Sequence, residues 1–290
     1  MMNTVSEYWD KFVGSHLNSP DHWEANKVVE QAQWKFITGD PLKNPLHWFL
    51  ETYGPFETMA SICCGSGLLE RDVAVNYLKS KTGVITGYDI SPGSVQVARE
   101  SCRNLRGVQF EIRDVNREVW SRDYLDAAFA HGALHHVKQL DHCLGQLRMA
   151  LKPSGLLYVN DYVGPRRFQW TDAQFQLAEE AFEMVPAKFR RNKAVVRADP
   201  VALKAMDPSE AVCSDCIIPT IRTHFDVLVL SKRGGTLLAP IFGSGCIAPQ
   251  IFETAEGMEI IQNLCDFERD LIDREVIGSD HVLIVASPRR

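Results

Sequence analysis

The chain predicts an α/β fold, a doubly wound and mostly parallel sheet with helices on both faces. Three observations carry that expectation. A short apolar run from Thr58 ends in Gly65-Ser66-Gly67 and passes directly into a helical pattern, with Leu69, Val73, Tyr77 and Leu78 on one face. A second apolar run, Val84 to Asp89, stops at an acid 22 positions after Gly67. Helix and strand patterns then alternate as far as Asn160. Parallel strands need crossover connections of this kind, because each helix returns the chain to the end of the sheet from which the next strand starts.

The elements follow in order. Residues 1–57 read as a helical cap: Tyr8, Trp9 and Phe12 fall at helical spacing, as do Val28, Val29, Ala32 and Phe36. Asp40-Pro41 and Asn44-Pro45 punctuate it, and Leu46, Phe49 and Leu50 open a further short helix. His16, His22 and Trp23 form a cluster that is available to face a substrate. Residues 58–290 form the main domain. After Asp89, Ser91-Pro92 is a helix start, with Ser as cap and Pro supplying the helical φ at the first position. Val108, Phe110 and Ile112 alternate as a third strand that ends at Asp114, and Leu125 to Ala130 is a fourth. A helix through Leu140, Cys143, Leu144 and Leu147 stops at Lys152-Pro153-Ser154-Gly155, and Leu156 to Asn160 is the fifth strand.

Beyond Asp161 the alternation lapses. Insertions are expected at about 166–221 and 234–272, with helices over Thr171 to Met184 and around Glu253 to Ile272. Asp207-Pro208-Ser209-Glu210 reads as a helix start, and the basic run Lys188 to Arg197 as a solvated helix face that orders when ligand binds. Phe225 to Leu230 and His281 to Ala286 supply strands six and seven.

Composition narrows the classes. A net charge of −6 over 290 residues disfavours non-specific binding to nucleic acid. No apolar run approaches the roughly 20 residues that span a bilayer. Met1 to Trp9 show neither the basic start nor the apolar core of an export signal, so a cytoplasmic protein is expected. The eight cysteines then read as thiols. Cys213 and Cys216 have the spacing of half a zinc site, with His224 as a third ligand in principle, but no second pair follows, and no metal is expected. Oligomeric state is left open.

The glycine turn lets backbone approach a ligand, and Asp89, at the end of the second strand, is placed to accept both hydrogen bonds of a ribose diol. A dinucleotide site wants a third glycine three residues after Gly67, but that position is Glu70. A carboxylate there repels a pyrophosphate and suits a cationic ligand such as a sulfonium or an ammonium. It also suits a helix N-terminus whatever binds nearby, so both readings of Glu70 stand.

With these positions in order, the sequence resembles the class I S-adenosylmethionine-dependent methyltransferases that act on small molecules. By that resemblance Cys64, Gly65, Ser66 and Gly67 lie beside the methionine part of S-adenosylmethionine. Asp89 takes the ribose with Ile90 beside the adenine, and Asp114, followed by Val115, meets the adenine amino group. His131-Gly132-Ala133-Leu134-His135-His136 is similar to the segment after the family's fourth strand. The resemblance also implies a Rossmann-like sheet whose seventh strand inserts antiparallel between the fifth and sixth. Two positions depart from it. Ser61 stands where the family has an acid, and Cys63 where it has a glycine, so Glu70 or Asp161 must answer the methionine ammonium.

The chemistry implied is transfer of a methyl group to a small-molecule acceptor, most simply a hydroxyl of a metabolite or sugar. Such a transfer asks the protein for alignment, exclusion of water and a general base. The candidates are His131, His135, His136 and Asp161, all at the carboxyl edge of the sheet. Two neighbouring histidines at a helix start are expected to face different ways, leaving one of His135 and His136 for catalysis. Nothing resembles the Asp/Asn-Pro-Pro-Tyr segment of enzymes that methylate nucleobase amines, and no nucleic-acid or membrane partner is expected. Two other readings are a cofactor-binding protein with little catalysis, consistent with Ser61, and a nicotinamide oxidoreductase, disfavoured by Glu70 and Asp114.

Overall fold

A computed structural model describes residues 4–11, 23–79, 82–243 and 245–290. Phe12, His16 and His22 lie outside the described residues. The described chain runs α1 (Thr4–Lys11), α2 (Lys27–Thr38), α3 (Pro45–Tyr53), β1 (Thr58–Ile62), α4 (Leu68–Asp72), β2 (Val84–Asp89), α5 (Pro92–Ser101), β3 (Val108–Ile112), β4 (Leu125–His131) and α6 (Leu140–Ala150). It continues with β5 (Leu151–Tyr162), α7 (Asp172–Phe182), α8 (Pro200–Met206), α9 (Ile217–His224), β6 (Phe225–Gly234), α10 (Leu238–Gly243), α11 (Ala255–Asp273) and β7 (His281–Pro288).

The seven strands form a single sheet in the order β3-β2-β1-β4-β5-β7-β6. Strands β1 to β5 pair in parallel, and β7 runs antiparallel to both β5 and β6. The inserted, reversed last strand implied by the family resemblance is therefore present. Its reversal brings the start of β7, at His281, to the same edge of the sheet as the ends of β5 and β6.

Local chemistry accounts for the starts of the helices. Asn26, Asn44, Ser91, Thr171, Asp199 and Thr254 each cap a helix by accepting a backbone N–H with the side chain. Where the sequence reading was wrong, the same chemistry gives the reason. No helix follows Asp207: its Oδ1 accepts the Ser209 N–H at 2.7 Å, closing a turn on itself. The basic run is not a helix face either. Arg190 lies 4.8 Å over the Phe182 ring and donates to the Glu183 carbonyl, while Arg197 donates to the Trp170 carbonyl and lies 4.1 Å over Phe175. These arginines staple an irregular segment onto α7.

Two cores sandwich the sheet. One holds Leu134, Leu144, Leu147, Ile217 and Phe225 with Ile62, Leu157 and Ile284. The other sets Leu46, Phe49 and Leu50 of α3 against Phe129, Tyr158 and Leu283. A third core joins α2 to α7, α10 and α11 through Val29, Phe182, Leu237, Ile241, Ile261 and Leu264. Each fully buried side chain of this size contributes about 1.5–3 kcal/mol. The helices before β1 thus go to separate places. α3 packs on the sheet and α2 on the inserted helices, while α1 lies at the start of α5, where Asp10 accepts the Ser91 hydroxyl at 2.6 Å and the Gly93 N–H at 2.9 Å.

Candidate active site

The carboxyl ends of β1, β2, β3, β4 and β5 share one edge, and Cys64 to Gly67, Asp89, Ile90, Asp114, Val115, His131, His135, His136 and Asp161 lie on it or just beyond it, whereas Trp23 is buried in the third core. The turn after β1 is tight: Gly67 N–H donates to the Cys64 carbonyl at 3.0 Å, and Gly65 and Gly67 have φ of 53° and 79°. A side chain on Gly67 would strike Phe110 and Ala98 of the neighbouring layer. Cys63 has φ of 51°, a left-handed conformation that glycine adopts freely and other residues rarely do, which explains the family's glycine at this position. Cys63 and Cys64 are half-buried, and desolvation pushes both thiols well above their usual range.

Asp89 ties the turn to β2. One carboxylate oxygen accepts the Gly65 N–H at 2.9 Å and the other the Ser91 N–H at 2.9 Å. Ile90 is half-buried, and its carbonyl accepts the Ser6 hydroxyl of α1 at 3.1 Å. Further along the edge, Asp114 accepts from Asn116 through both backbone and side chain at 3.0 Å, and Val115 is buried. Behind the glycine turn, Glu70 is fully buried and its Oε1 accepts the Ser61 hydroxyl. Its Oε2 is buried without a hydrogen-bond partner. Burial pushes the Glu70 carboxyl up to about 7, against the opposing pull of Ser61.

The segment after β4 carries the histidines. Asp161 is 1% exposed and its acceptor positions are in use: Oδ2 takes the N–H groups of Ala133 and Leu134 at 2.9 and 2.7 Å, and Oδ1 faces His135 Nδ1 at 2.5 Å. Asp161 is therefore built to shape this loop and orient His135 rather than to take a proton. The His135 and His136 rings lie 4.0 Å apart, and both turn toward residues 207–210. The expectation that they face different ways fails: both histidines of the Leu134–His136 3-10 turn find partners in the same loop, His135 at Glu210 and His136 at Ser209 and Asp207. His135 Nε2 lies 3.6 Å from a Glu210 oxygen; His136 Nδ1 lies 3.2 Å from Ser209 Oγ, which donates to Asp207 at 2.7 Å. Trp9 of α1 stands edge-on to His136 at 5.1 Å, so α1 and the 207–210 loop meet over the histidines.

Burial acts first on both rings. For His135 the carboxylate of Asp161 overcomes it and raises the imidazole to about 9, while His136 is lowered by burial and by His135. His131 differs from both. It is exposed, and desolvation followed by the Arg233 charge lowers its ring to about 4. Beside it, Gly132 has φ of 57° and open space where a side chain would stand.

Several residues at this edge escaped the sequence reading. β6 runs on to Gly234, four residues past Leu230, and so delivers Arg233 to Asn160, Gln33 and Glu24. The alternation through Val227, Val229, Ser231 and Arg233 was the available signal. His281 is buried at the start of β7, with Nε2 3.7 Å from Glu24, Nδ1 without a hydrogen-bond partner, and its ring lowered to about 4 by burial. Among the described residues no helix is long and apolar enough to cross a membrane.

A seven-stranded sheet with a reversed last strand, a glycine turn after β1 and an acid ending β2 define the class I methyltransferase fold. A family model described as a methyltransferase domain matches residues 59–262. The chain belongs to that family, of the S-adenosylmethionine-dependent kind that its motifs resemble. Demethylmenaquinone methyltransferase of Tropheryma whipplei (strain Twist) is 29% identical over 113 residues, covering 39% of this chain and 44% of the relative. A hybrid PKS-NRPS synthetase of Emericella nidulans is 29% identical over 116 residues, 38% of this chain and 3% of that protein. The match thus spans less than half the length of either relative. Among solved structures, geranyl diphosphate C-methyltransferase from Streptomyces coelicolor A3(2), in complex with Mg2+, geranyl diphosphate and S-adenosyl-L-homocysteine, aligns with a TM-score of 0.57. The alignment covers 99% of this chain and 97% of that one at 14% identity, a likeness of fold.

Proposed function

We propose that the protein binds S-adenosylmethionine along the carboxyl edge of β1, β2 and β3 and methylates a small-molecule acceptor, most simply a hydroxyl of a metabolite or sugar. The observation that carries this reading is Glu70, a buried carboxylate with an unpartnered oxygen, behind a glycine turn that Asp89 holds in place. An anion there fits a cationic cofactor and opposes the pyrophosphate of a nicotinamide dinucleotide. The cofactor, when bound, supplies a methyl carbon already activated by its sulfonium. Asp89 and Asp114 hold the ribose and the adenine amine, with Ile90 and Val115 against the ring. Cys64, Gly65, Ser66 and Gly67 contribute backbone beside the methionine.

The acceptor belongs beside the exposed His131 and Gly132, where a side chain at Gly132 would meet nothing. His131 stays neutral at physiological pH and accepts a hydrogen bond from the acceptor hydroxyl. Asp161 fixes the loop that carries it. The names of the relatives cover a demethylmenaquinone and an isoprenoid diphosphate, so likeness alone does not choose the acceptor. Calorimetry with S-adenosylmethionine, S-adenosylhomocysteine and NAD tests the cofactor. Binding of NAD in preference to the other two would overturn the reading. Turnover on a panel of hydroxylated metabolites and sugars then tests the acceptor, and binding without turnover would leave a cofactor-binding protein.

A further inference from the structure

We infer that His135, His136 and Glu210 form a site for a first-row divalent metal ion, with zinc the best fit to the ligand set. The inference deepens the proposed methyl transfer, since the ion would hold the acceptor's oxygen at the cofactor edge. Cysteine spacing gave no reason to expect it.

The geometry comes first. One donor atom from each of the three residues lies within 4.8 Å of the other two. Ligands about 2.1 Å from an ion at tetrahedral angles stand about 3.4 Å apart, and His135 Nε2 and Glu210 Oε1 are separated by 3.6 Å. Two imidazoles and a carboxylate, with a position left for water or substrate, are a ligand set of catalytic zinc sites.

The surroundings of the rings point the same way. A metal-bound histidine uses one ring nitrogen on the ion and commonly gives the other N–H to a carboxylate or another acceptor, which fixes tautomer and orientation. His135 meets this requirement through Asp161 at 2.5 Å, which leaves Nε2 free toward Glu210. His136 meets it through Ser209. The Ser209 hydroxyl donates to Asp207 at 2.7 Å, so its oxygen accepts from His136 Nδ1 at 3.2 Å. The second nitrogen of His136 is then left to accept.

Charge supplies an independent reason. Asp161 and Asp207 are 1% and 2% exposed, and Asp207 Oδ2 is buried with no hydrogen-bond partner, 3.8 Å from His136. With Glu210, three carboxylates surround two imidazoles. Arg167 reaches this loop, but it donates to the carbonyls of Asp207, Pro208 and Glu210 and leaves their carboxylates alone. It therefore holds Glu210 in register without neutralising the site. A divalent cation offsets two of these three carboxylate charges.

The test uses tag-free, chelator-stripped protein without cofactor, titrated with Co2+ and followed by its visible d–d absorption, and with Zn2+ by calorimetry. The expected result is one equivalent bound, with affinity reduced at least tenfold by Glu210→Gln and by His136→Ala, and about 10–100-fold by Asp161→Asn through the orientation of His135. Glu210→Gln keeps its volume on a half-buried loop and is the variant least able to disturb folding, with circular dichroism as the check. S-adenosylhomocysteine binding by the stripped wild type reports the cofactor reading separately. Failure to saturate at one equivalent, or saturation unaffected by Glu210→Gln and His136→Ala, would overturn the site and leave the His135 imidazolium as the balancing cation.

Discussion

Ser61 donates its hydroxyl to Glu70, and the two side chains are 3% and 0% exposed. The position that holds an acid in related methyltransferases thus reaches an acid after all, one supplied by α4 instead of β1. The carboxylate that Ser61 lacks stands nine residues further along the chain, within hydrogen-bond reach of its hydroxyl.

The first prediction concerns this pair and pH. Burial holds the Glu70 proton up to about 7, whereas in the unfolded chain it leaves near 4.5. The folded state therefore binds the extra proton between these values, and the contribution to stability is complete below about 4.5 and lost as pH rises through about 7. A cationic cofactor favours the ionised carboxyl, so affinity for S-adenosylmethionine should rise between about pH 6 and pH 8. Glu70→Gln should weaken binding and flatten the affinity profile in calorimetry, while urea melts keep the part of the stability slope that Glu268, also raised to about 7, contributes. An affinity slope that survives in the variant would remove Glu70 from the cofactor site.

A second concerns Asp89. Asp89→Ala removes charge-assisted hydrogen bonds worth about 1.5–3 kcal/mol each, and it also frees the Gly65 and Ser91 amides that set the turn. S-adenosylhomocysteine affinity should fall at least tenfold, read by calorimetry, with the circular dichroism spectrum retained. Unchanged affinity would mean the cofactor lies elsewhere.

A third separates positioning from proton transfer at Asp161. Asp161→Asn breaks a buried charge pair with His135 and weakens two amide contacts, for an expected loss of about 3–5 kcal/mol in urea denaturation. A direct general base would show the opposite pattern, with turnover abolished and stability kept.

The fourth concerns access. α1 bonds to Ile90, Ser91 and Gly93 through Ser6 and Asp10 and meets His136 through Trp9. If it forms a lid, S-adenosylhomocysteine should raise amide protection in residues 4–11 and in 207–216, and Asp10→Ala should speed ligand release several-fold. Hydrogen exchange that ignores the ligand in both segments would make α1 a packing element only.

The sequence by itself determined the sheet, the glycine turn, Asp89 and the histidine segment, because each of these is written in local periodicity or in a short motif. Strand and helix alternation reports which backbone groups must pair, and Gly65, Gly67 and Ser91-Pro92 report backbone angles that few other residues satisfy. Only the tertiary structure decided which side chains share charge. That Ser61 meets Glu70, that Asp161 spends its acceptors on the Ala133–His135 turn, and that Asp207 and Glu210 close over His135 and His136 are facts about residues up to 75 positions apart. Arg233 reaches the site because β6 continues beside the reversed β7, a pairing across about fifty residues of chain. Such contacts depend on where inserted helices pack, and their packing is set by cores shared with α2 and α6 rather than by any pattern in the residues that finally touch.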